Sequence, residues 1–236
     1  TEVAEAMSYM GMAGWNATQI TEGMSGVLNL ATVGALDLGK ASDIVTDGLT
    51  AMGLSASDVG DFTDMMTATI TNANTSVELM GETMKYVGPV AGALGIEMED
   101  LSVAIGLMGN SGIKGSQAGT ALRAGLTKLI KPTDDAAAVM RKYGVEVVKN
   151  KDGTVNLAGT MDNLRTTLGS LDAATQAQAV ATIFGQEAMS GWMSIINAAD
   201  GDVSKLSTAI NGSTKAMQYW RQEMEKAGMS AEDIEK

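Results

Sequence analysis

The sequence has no histidine and no cysteine among its 236 residues. Without imidazole or thiolate side chains, imidazole-assisted nucleophiles and the common zinc sites are excluded. Disulfide bonds are excluded as well, which agrees with a cytoplasmic origin. We therefore expect no enzyme activity, no metal and no cofactor.

Aromatic residues, prolines and long apolar runs are also scarce. Aromatic residues make up 4% of the chain, and there are two prolines. Uncharged runs such as residues 23–36 and 101–113 are shorter than the roughly 18 apolar residues that a membrane span needs. The chain is instead rich in methionine and glycine, with eighteen and twenty-eight copies. This composition predicts helices that pack through small and adaptable side chains.

Basic residues are nearly absent from the first half. Residues 1–113 contain Lys40 and Lys85 against fourteen acids, whereas residues 114–236 contain fourteen of each sign, so the net charge of −12 comes from the first half. Within the second half, residues 114–151 hold eight bases and three acids. An acidic surface repels phosphate backbones, and the basic stretch lacks interleaved aromatics, which is typical of a solvated helix face. We expect no sequence-specific nucleic-acid binding.

Apolar residues recur with helical spacing along most of the chain, which predicts a mainly α, compact multi-helix bundle. We expect two modules, a helical one at 1–131 and a second one at 132–236. Pro89 predicts a kink or break near Gly88, because proline removes a backbone donor. The predicted helices are residues 3–10, 18–31, 41–52, 58–70 after an N-cap at Ser57, 76–88, 101–108, 115–130, 134–142, 160–168, 172–184, 187–199, 203–211 and 214–227.

The first module contains a two-fold internal pseudo-repeat. Residues 6–11 (AMSYMG) align with residues 83–88 (TMKYVG) at a shift of 77, and residues 48–50 align with residues 125–127 at the same shift. Two such units would bury their apolar faces against each other in a pseudo-symmetric bundle.

A different pattern follows Pro132. In residues 144–148 (GVEVV) apolar and polar side chains alternate as in a strand. The turn that follows contains Asp152 and Gly153, and residues 154–156 can form a short second strand. We predict one small β-hairpin near residues 145–156.

Three segments invite a binding interpretation. Residues 34–41 have P-loop spacing, but Ala41 replaces the hydroxyl and Asp37 lies inside, so we predict an interhelical loop. Residues 112–115 could form an anion nest, or their small residues could permit close helix contact. Packing is the preferred interpretation. The candidate interaction or packing residues are Asn110, Gly112, Ile113, Lys114, Gly115, Gly119, Thr120, Phe184 and Gly185.

Paired carboxylates are the other conceivable chemistry. One set is Glu97 with its acidic neighbours at 99 and 100, and another is Asp58, Asp61 and Asp64. Both stand near predicted helix starts, where the helix dipole favours acids on a solvated face, so neither predicts a catalytic pair.

Taken in order, a set of short motifs spanning roughly residues 3–200 resembles the conserved core of phage tail tape measure proteins. The motifs are residues 13–17 (AGWNA), 28–31 (LNLA), 41–44 (ASDI), 51–54 (AMGL), 72–76 (NANTS), 86–91 (YVGPVA), 110–123 (NSGIKGSQAGTALR), 131–133 (KPT) with the predicted hairpin, and 183–188 (IFGQEA). The resemblance supplies no catalytic residue.

This resemblance implies a virion structural protein in the lumen of the tail, assembled in the host cytoplasm. Such proteins set tail length, support tail assembly and leave ahead of the DNA. The implied partners are tail tube, tail tip and tail assembly chaperone proteins, together with self-association. The alternative is a membrane-active helical module released at infection to help DNA cross the envelope, motivated by small residues four apart such as Gly88 and Gly92. A cell-wall hydrolase domain, which occurs elsewhere in the family, has no supporting pattern here.

Overall fold

The computed structural model describes residues 2–226, with side chains through residue 213, and it is mainly helical as predicted. Over this range the chain forms twelve α-helices and a 3₁₀ turn, Ala56–Asp58. The helices are α1 (Glu2–Met12), α2 (Ala17–Gly34), α3 (Leu38–Met52), α4 (Val59–Asn72), α5 (Val77–Ala93), α6 (Met98–Asn110), α7 (Gly115–Ile130), α8 (Asp134–Tyr143), α9 (Leu157–Leu168), α10 (Ala173–Phe184), α11 (Gln186–Ile196) and α12 (Asp200–Lys226).

Side-chain caps fix several of the helix starts. Asn16 and Gln19 form a reciprocal capping box before α2. Ser76 accepts a hydrogen bond from the Leu79 amide, as its predicted N-cap role requires, and Asp172 accepts one from the Thr175 amide. Each cap satisfies an amide that the first helical turn leaves without a partner.

The first seven helices form two layers. Helices α1, α3, α5 and α7 pack side by side in chain order, and α2, α4 and α6 do the same in a second layer. Helix α12 packs across α4 and α6, while α10 and α11 pack on α7. One hydrophobic cluster runs through the fold, from Ala6 in α1 to Ile210 in α12.

The predicted break at Pro89 is wrong, because α5 continues through it to Ala93, whereas the kink stays a prediction. Pro89 lies on an exposed face of α5, beside the exposed Lys85 and Tyr86. The Lys85 carbonyl has no i+4 amide partner, because Pro89 lacks an amide hydrogen. It lies on this solvent-exposed face and can be hydrated. The helix therefore survives the missing hydrogen bond.

The predicted hairpin near residues 145–156 is also wrong. Within the described part of the chain the segment contains a single antiparallel bridge, between Lys149 and Val155, and no strand. Its amides have other partners, since Glu146 N donates to Asn163 Oδ1 at 2.9 Å and Val148 N donates to Thr160 Oγ1 at 3.1 Å. Side chains of α9 thus replace a partner strand.

The other side of this segment bonds to the loop after α5. Val155 N donates to the Leu94 carbonyl at 3.0 Å. The segment is an irregular strap between α5 and α9, and it also contains internal backbone hydrogen bonds such as that from Asn156 N to the Val148 carbonyl at 3.0 Å.

Most predicted helix bounds differ from the observed ones by a few residues, and two further differences concern a cap and a helix break. The 3₁₀ turn before α4 follows Ser55, whose amide and hydroxyl both donate to Asp58, so the cap lies two residues ahead of Ser57. The helices predicted at 203–211 and 214–227 form one helix, α12. The last predicted residue, Ala227, lies outside the described residues.

Candidate functional site

The predicted interaction residues are distributed along α7. Asn110, Gly112, Ile113 and Lys114 lie in the loop before it, and Gly119 and Thr120 lie on it. Phe184 and Gly185 meet it at Lys128, near its far end. With a helical rise of about 1.5 Å per residue, Gly115 and Lys128 are about 20 Å apart along the axis. The residues therefore form a line of contacts and not one pocket.

The loop before α7 is joined to the loop after α4. Asn110 Oδ1 accepts a hydrogen bond from Asn74 N at 2.8 Å, and Lys114 Nζ donates to Asn74 Oδ1 at 2.7 Å. Gly112 allows the chain to turn because its φ is +84°, a value that disfavours other residues. The loop thus connects the two layers of the fold through Asn74, which the 72–76 motif contains.

The start of α7 is a packing contact in this structure. A Cβ at Gly115 would lie 2.5 Å from Glu82 Oε2, so a carboxylate already faces the first turn. Because an anion there would meet this negative charge, the nest interpretation loses support. Ile113, half-buried, packs against the core beside this turn.

The middle of α7 approaches α5 closely. A Cβ at Gly119 would lie 2.6 Å from the Thr83 carbonyl oxygen, and Thr83 Oγ1 donates to the Gly115 carbonyl at 3.0 Å. Gly119 is buried and its neighbour Thr120 is half-buried. Small side chains therefore let the two helix backbones come together here.

The far end of α7 receives the corner between α10 and α11. Lys128 Nζ donates to the Phe184 carbonyl at 2.8 Å, and Phe184 stacks on Trp192 with ring centroids 4.5 Å apart. Trp192 is fully buried, and its Nε1 donates to the Ala121 carbonyl at 3.0 Å. Sequence reasoning missed Lys128 and, although it predicts Trp192 as an anchor between helices or to flanking segments, it names no partner for it, since these partners lie 56 and 71 residues away.

A second junction holds the start of α12. Arg165 of α9 donates to the carbonyls of Ile195 and Ala198 at 3.2 and 2.6 Å, and it also pairs with Asp200. The Arg165 side chain is 12% exposed, whereas that of Asp200 is 99% exposed. The guanidinium therefore satisfies one carbonyl in the last turn of α11 and one just beyond it, and no local sequence motif signals it.

The carboxylates near the start of α6 have raised pKa values. Asp100 Oδ2 accepts a hydrogen bond from Ala158 N at 2.9 Å, and burial raises the pKa of Asp100. Burial, followed by the charges of Asp100 and its acidic neighbours, raises the pKa of Glu97. Among the described residues no group of three or more acidic, histidine or cysteine side chains could hold a metal ion.

The segment with P-loop spacing is an interhelical loop, as predicted. Gly34 ends α2 and Asp37 caps α3 by accepting a hydrogen bond from Lys40 N at 3.1 Å. The Lys40 ammonium is paired with Glu78 of α5. The α2 helix stands where a phosphate-binding loop requires a strand.

Within the described range, none of the helices is both long enough and apolar enough to cross a membrane.

Comparison with known proteins gives a consistent result. The family described as phage-related minor tail protein matches residues 1–185. The chain is 32% identical over 219 residues to the tape measure protein of Pneumococcus phage Dp-1, covering 92% of this chain and 19% of that protein. It is 26% identical over 215 residues to the probable tape measure protein of Escherichia phage P2, covering 90% and 26%. No solved structure matches. The chain thus spans about a fifth to a quarter of the length of these relatives.

Proposed function

The chain belongs to the phage-related minor tail protein family, and from this membership we propose that it is a folded module of a tape measure protein. The module serves tail assembly and genome delivery in a protein that sets tail length. It acts as a structural part of the tail and carries no catalytic step. This proposal rests on the family match together with the names of the two relatives.

The observation that favours a folded module over a bare ruler is the packing of the helices. An extended helix of 236 residues would span about 350 Å at about 1.5 Å per residue. Here the helices turn back on one another in two layers around one hydrophobic cluster. While folded in this way, the segment adds far less length than its residue count allows.

We further propose that the first half is the two-fold repeat that the sequence predicts. Helices α1, α2 and α3 begin at residues 2, 17 and 38, and α5, α6 and α7 begin at residues 77, 98 and 115. The equivalent pairs α1 with α3 and α5 with α7 each carry a buried hydroxyl bond to backbone. Ser42 Oγ donates to the Ala6 carbonyl at 2.9 Å, and Thr83 Oγ1 donates to the Gly115 carbonyl at 3.0 Å.

The repeat extends to single positions. Ala6 and Thr83 are equivalent at the shift of 77, as are Ser42 and Gly119. In the first repeat Ser42 Oγ contacts the Ala6 carbonyl. At the equivalent positions of the second repeat, a Cβ at Gly119 would contact the Thr83 carbonyl. Both crossings thus lie at the same register, which supports an origin by duplication.

The small residues that motivate a membrane-active role have a use inside the fold. A Cβ at Gly88 would lie 2.8 Å from Ala51, and one at Gly92 would lie 2.7 Å from the Met52 carbonyl oxygen, so both contact α3. A Cβ at Gly191 of α11 would similarly lie 2.8 Å from Ala121. Close packing within the module therefore accounts for the spacing, and we favour the assembly role.

The proposed environment is the virion, with the module in the tail lumen after assembly in the host cytoplasm. The proposed partners are tail tube, tail tip and tail assembly chaperone proteins, and other copies of the same protein. The division at residues 131 and 132 also stays a prediction, and limited proteolysis that cuts first between α7 and α8 would support it.

Tail length measured by electron microscopy tests the function. A phage whose tape measure gene lacks residues 1–131 should lose its tails, or keep tails of normal length that fail to infect. Tails shorter by about 1.5 Å per deleted residue would contradict a folded module, because they would mean that the segment is an extended helical ruler.

A second phage variant distinguishes the effect of losing the fold from the effect of losing residues. Gly119→Ala keeps the residue count but disturbs the contact between α5 and α7, so tail assembly or infection should fail without any change in the length of the remaining tails. Gly212→Ala is the matched control, because a Cβ there meets nothing within 4 Å. Normal infection by both variants would contradict the requirement for this fold.

A further inference from the structure

The outer edge of the two layers is uncovered at α1 and α2. On α1, Val3 and Met7 are 47% and 43% exposed, and the small residues Ala4, Ser8 and Gly11 are exposed beside them. On α2, the exposed residues are Ser25, Leu28, Asn29, Thr32 and Val33. We call these ten residues the α1–α2 edge. Every one of them is uncharged, which is unusual for an exposed helix surface.

Most of the equivalent positions on α5 are buried, and the exception is Lys85, which corresponds to Ser8. At the shift of 77, Ala4, Met7 and Gly11 correspond to Gly81, Met84 and Gly88. A Cβ at Gly81 would lie 2.8 Å from Ile44, and one at Gly88 would lie 2.8 Å from Ala51, so this face of α5 packs directly on α3.

The same holds in the second layer. Ser25, Asn29 and Thr32 of α2 correspond to Ser102, Gly106 and Gly109 of α6. Ser102 is bonded to Met65 of α4, while Cβ atoms at Gly106 and Gly109 would lie 3.2 Å from Ala73 and 3.0 Å from the Asn74 carbonyl oxygen. Each member of the second repeat is therefore covered by α4 or by the loop that follows it.

We propose that the α1–α2 edge binds a further helix pair, placed against it as α3 and α4 are placed against α5 and α6. The pair comes from the part of the full-length polypeptide that precedes this segment. This inference rests on the repeat proposed above and extends the two layers beyond the residues described. Relatives four to five times the length of the matched region supply ample chain for another unit.

A second copy of this chain fits the edge poorly. In that copy the surfaces of α3 and α4 that would be needed are already occupied by α5 and α6. Two edges facing each other would bring together acidic segments, since residues 1–39 hold four acids and no base.

Charge also indicates what the occupant carries. The contact between α3 and α5 is flanked by two ion pairs, Lys40 with Glu78 and Lys85 with Asp47. At the shift of 77, Glu78 and Lys85 correspond to the uncharged Thr1 and Ser8, so the incoming helix pair is expected to carry small or apolar residues at these positions instead of charges.

Site-directed photo-crosslinking of the full-length protein tests the proposal. Ser8→p-benzoylphenylalanine places the probe on the exposed edge without disturbing the core. We expect an intramolecular crosslink at Ser8 to a peptide that precedes residue 1. Mixing isotopically light and heavy protein distinguishes crosslinks within one chain from those between copies.

Two further probe positions serve as controls. Tyr86→p-benzoylphenylalanine should crosslink to α7, because Tyr86 Cβ would lie 2.7 Å from a Cβ at Gly119. Gln178→p-benzoylphenylalanine lies exposed on α10 and should not capture the Ser8 peptide. A Ser8 crosslink between copies, to another protein, to a later part of the chain, or no crosslink while Tyr86 reacts would overturn the proposal. None of these outcomes alters the tail-length test of the proposed function.

Discussion

The two halves of the molecule join their helices in different ways. In the first half, backbones touch: Cβ atoms at Gly92 and Gly119 would lie 2.7 and 2.6 Å from backbone oxygens of the neighbouring helix. In the second half, polar side chains reach the ends of neighbouring helices. Gln176 Nε2, for example, donates to the Leu168 carbonyl at 3.1 Å and to Asn197 Oδ1 at 2.9 Å.

This difference follows from composition. The first half, residues 1–131, holds six bases against fourteen acids, so few cations are available to reach carbonyl groups or acids across helices. Dispersion between closely packed backbones replaces them, and it is lost when even one methyl group is added. The second half, residues 132–236, holds ten bases, and Arg165 is one that joins two helices through backbone carbonyls. A helical half poor in cations is therefore sensitive to volume, and the other half is sensitive to loss of hydrogen-bond donors.

The largest effect is expected where the two halves meet, at Gly125. A Cβ there would overlap the Trp192 indole, which is fully buried and bonded to the Ala121 carbonyl. Gly125→Ala should therefore lower the free energy of unfolding by about 3 kcal/mol or more, because it forces the ring to move and breaks its hydrogen bond. Urea unfolding of the 236-residue chain measures this, and an unchanged midpoint would contradict the contact.

Gly212→Ala is the matched control for this change. Its Cβ meets nothing within 4 Å on α12, so the helix should gain about 0.5 to 1 kcal/mol from the better helix former. If the two Gly→Ala substitutions change the free energy of unfolding in opposite directions, the effect of packing is distinguished from the effect of helix propensity.

A smaller loss is expected inside the first half. Gly119→Ala should cost about 2 kcal/mol, since its Cβ would press on the Thr83 carbonyl, which belongs to the α5 backbone and cannot turn away. Hydrogen exchange should rise in α5 and α7 before it rises in α9. Uniform exchange across the chain would instead mean that the halves unfold as one unit, against the predicted modules.

The second half should be destabilised by the removal of a hydrogen-bond donor. Arg165→Ala should cost about 2 kcal/mol, because the carbonyls of Ile195 and Ala198 lose a charged donor. Asp200→Ala is the control, since its side chain is 99% exposed and an exposed ion pair contributes at most about 1 kcal/mol. Equal losses in the two variants would show that the ion pair, and not the carbonyl bonding, holds α12.

Local sequence patterns predict the helices but not the strap between α8 and α9. Residues 144–148 have strand-like alternation, yet their amides bond to Thr160 and Asn163, which the pattern of a single segment cannot reveal. Pro89 is similar, because its effect depends on which face of α5 is exposed.

Prediction of the candidate site from local sequence patterns is limited in the same way. The small residues of α7 predict a close contact, and its bounds agree with the structure. Its partners at the far end are distant in sequence, so Lys128 and Trp192 carry no local signal. Fold class and helix starts are thus local properties, whereas the contacts that join the helices depend on the tertiary arrangement.

The smallest effect concerns two acids at helix starts, one in each half, whose pKa values are shifted in opposite directions. Burial, and then the charges of Asp100, Glu99 and Asp152, raise the pKa of Glu97 before α6. The folded state therefore binds this proton more tightly than the unfolded state does, so the contribution to stability falls as pH rises through the raised pKa. Glu97→Gln should increase the free energy of unfolding slightly at pH 7, by less than about 0.5 kcal/mol, and should have no benefit below the unfolded-state pKa.

Asp172 provides the opposite sign in the second half. Hydrogen bonds from the Thr175 side chain and backbone lower the pKa of Asp172, so its stabilisation is present above the unfolded pKa and is lost as pH falls through the folded value. Asp172→Asn keeps a good N-cap and removes only the titration. Urea midpoints measured from pH 3 to pH 7 should therefore show a shallower acid loss for Asp172→Asn and a steeper rise with pH for Glu97→Gln, each relative to the unmodified chain. Parallel pH profiles for both variants would mean that neither helix start couples its charge to folding.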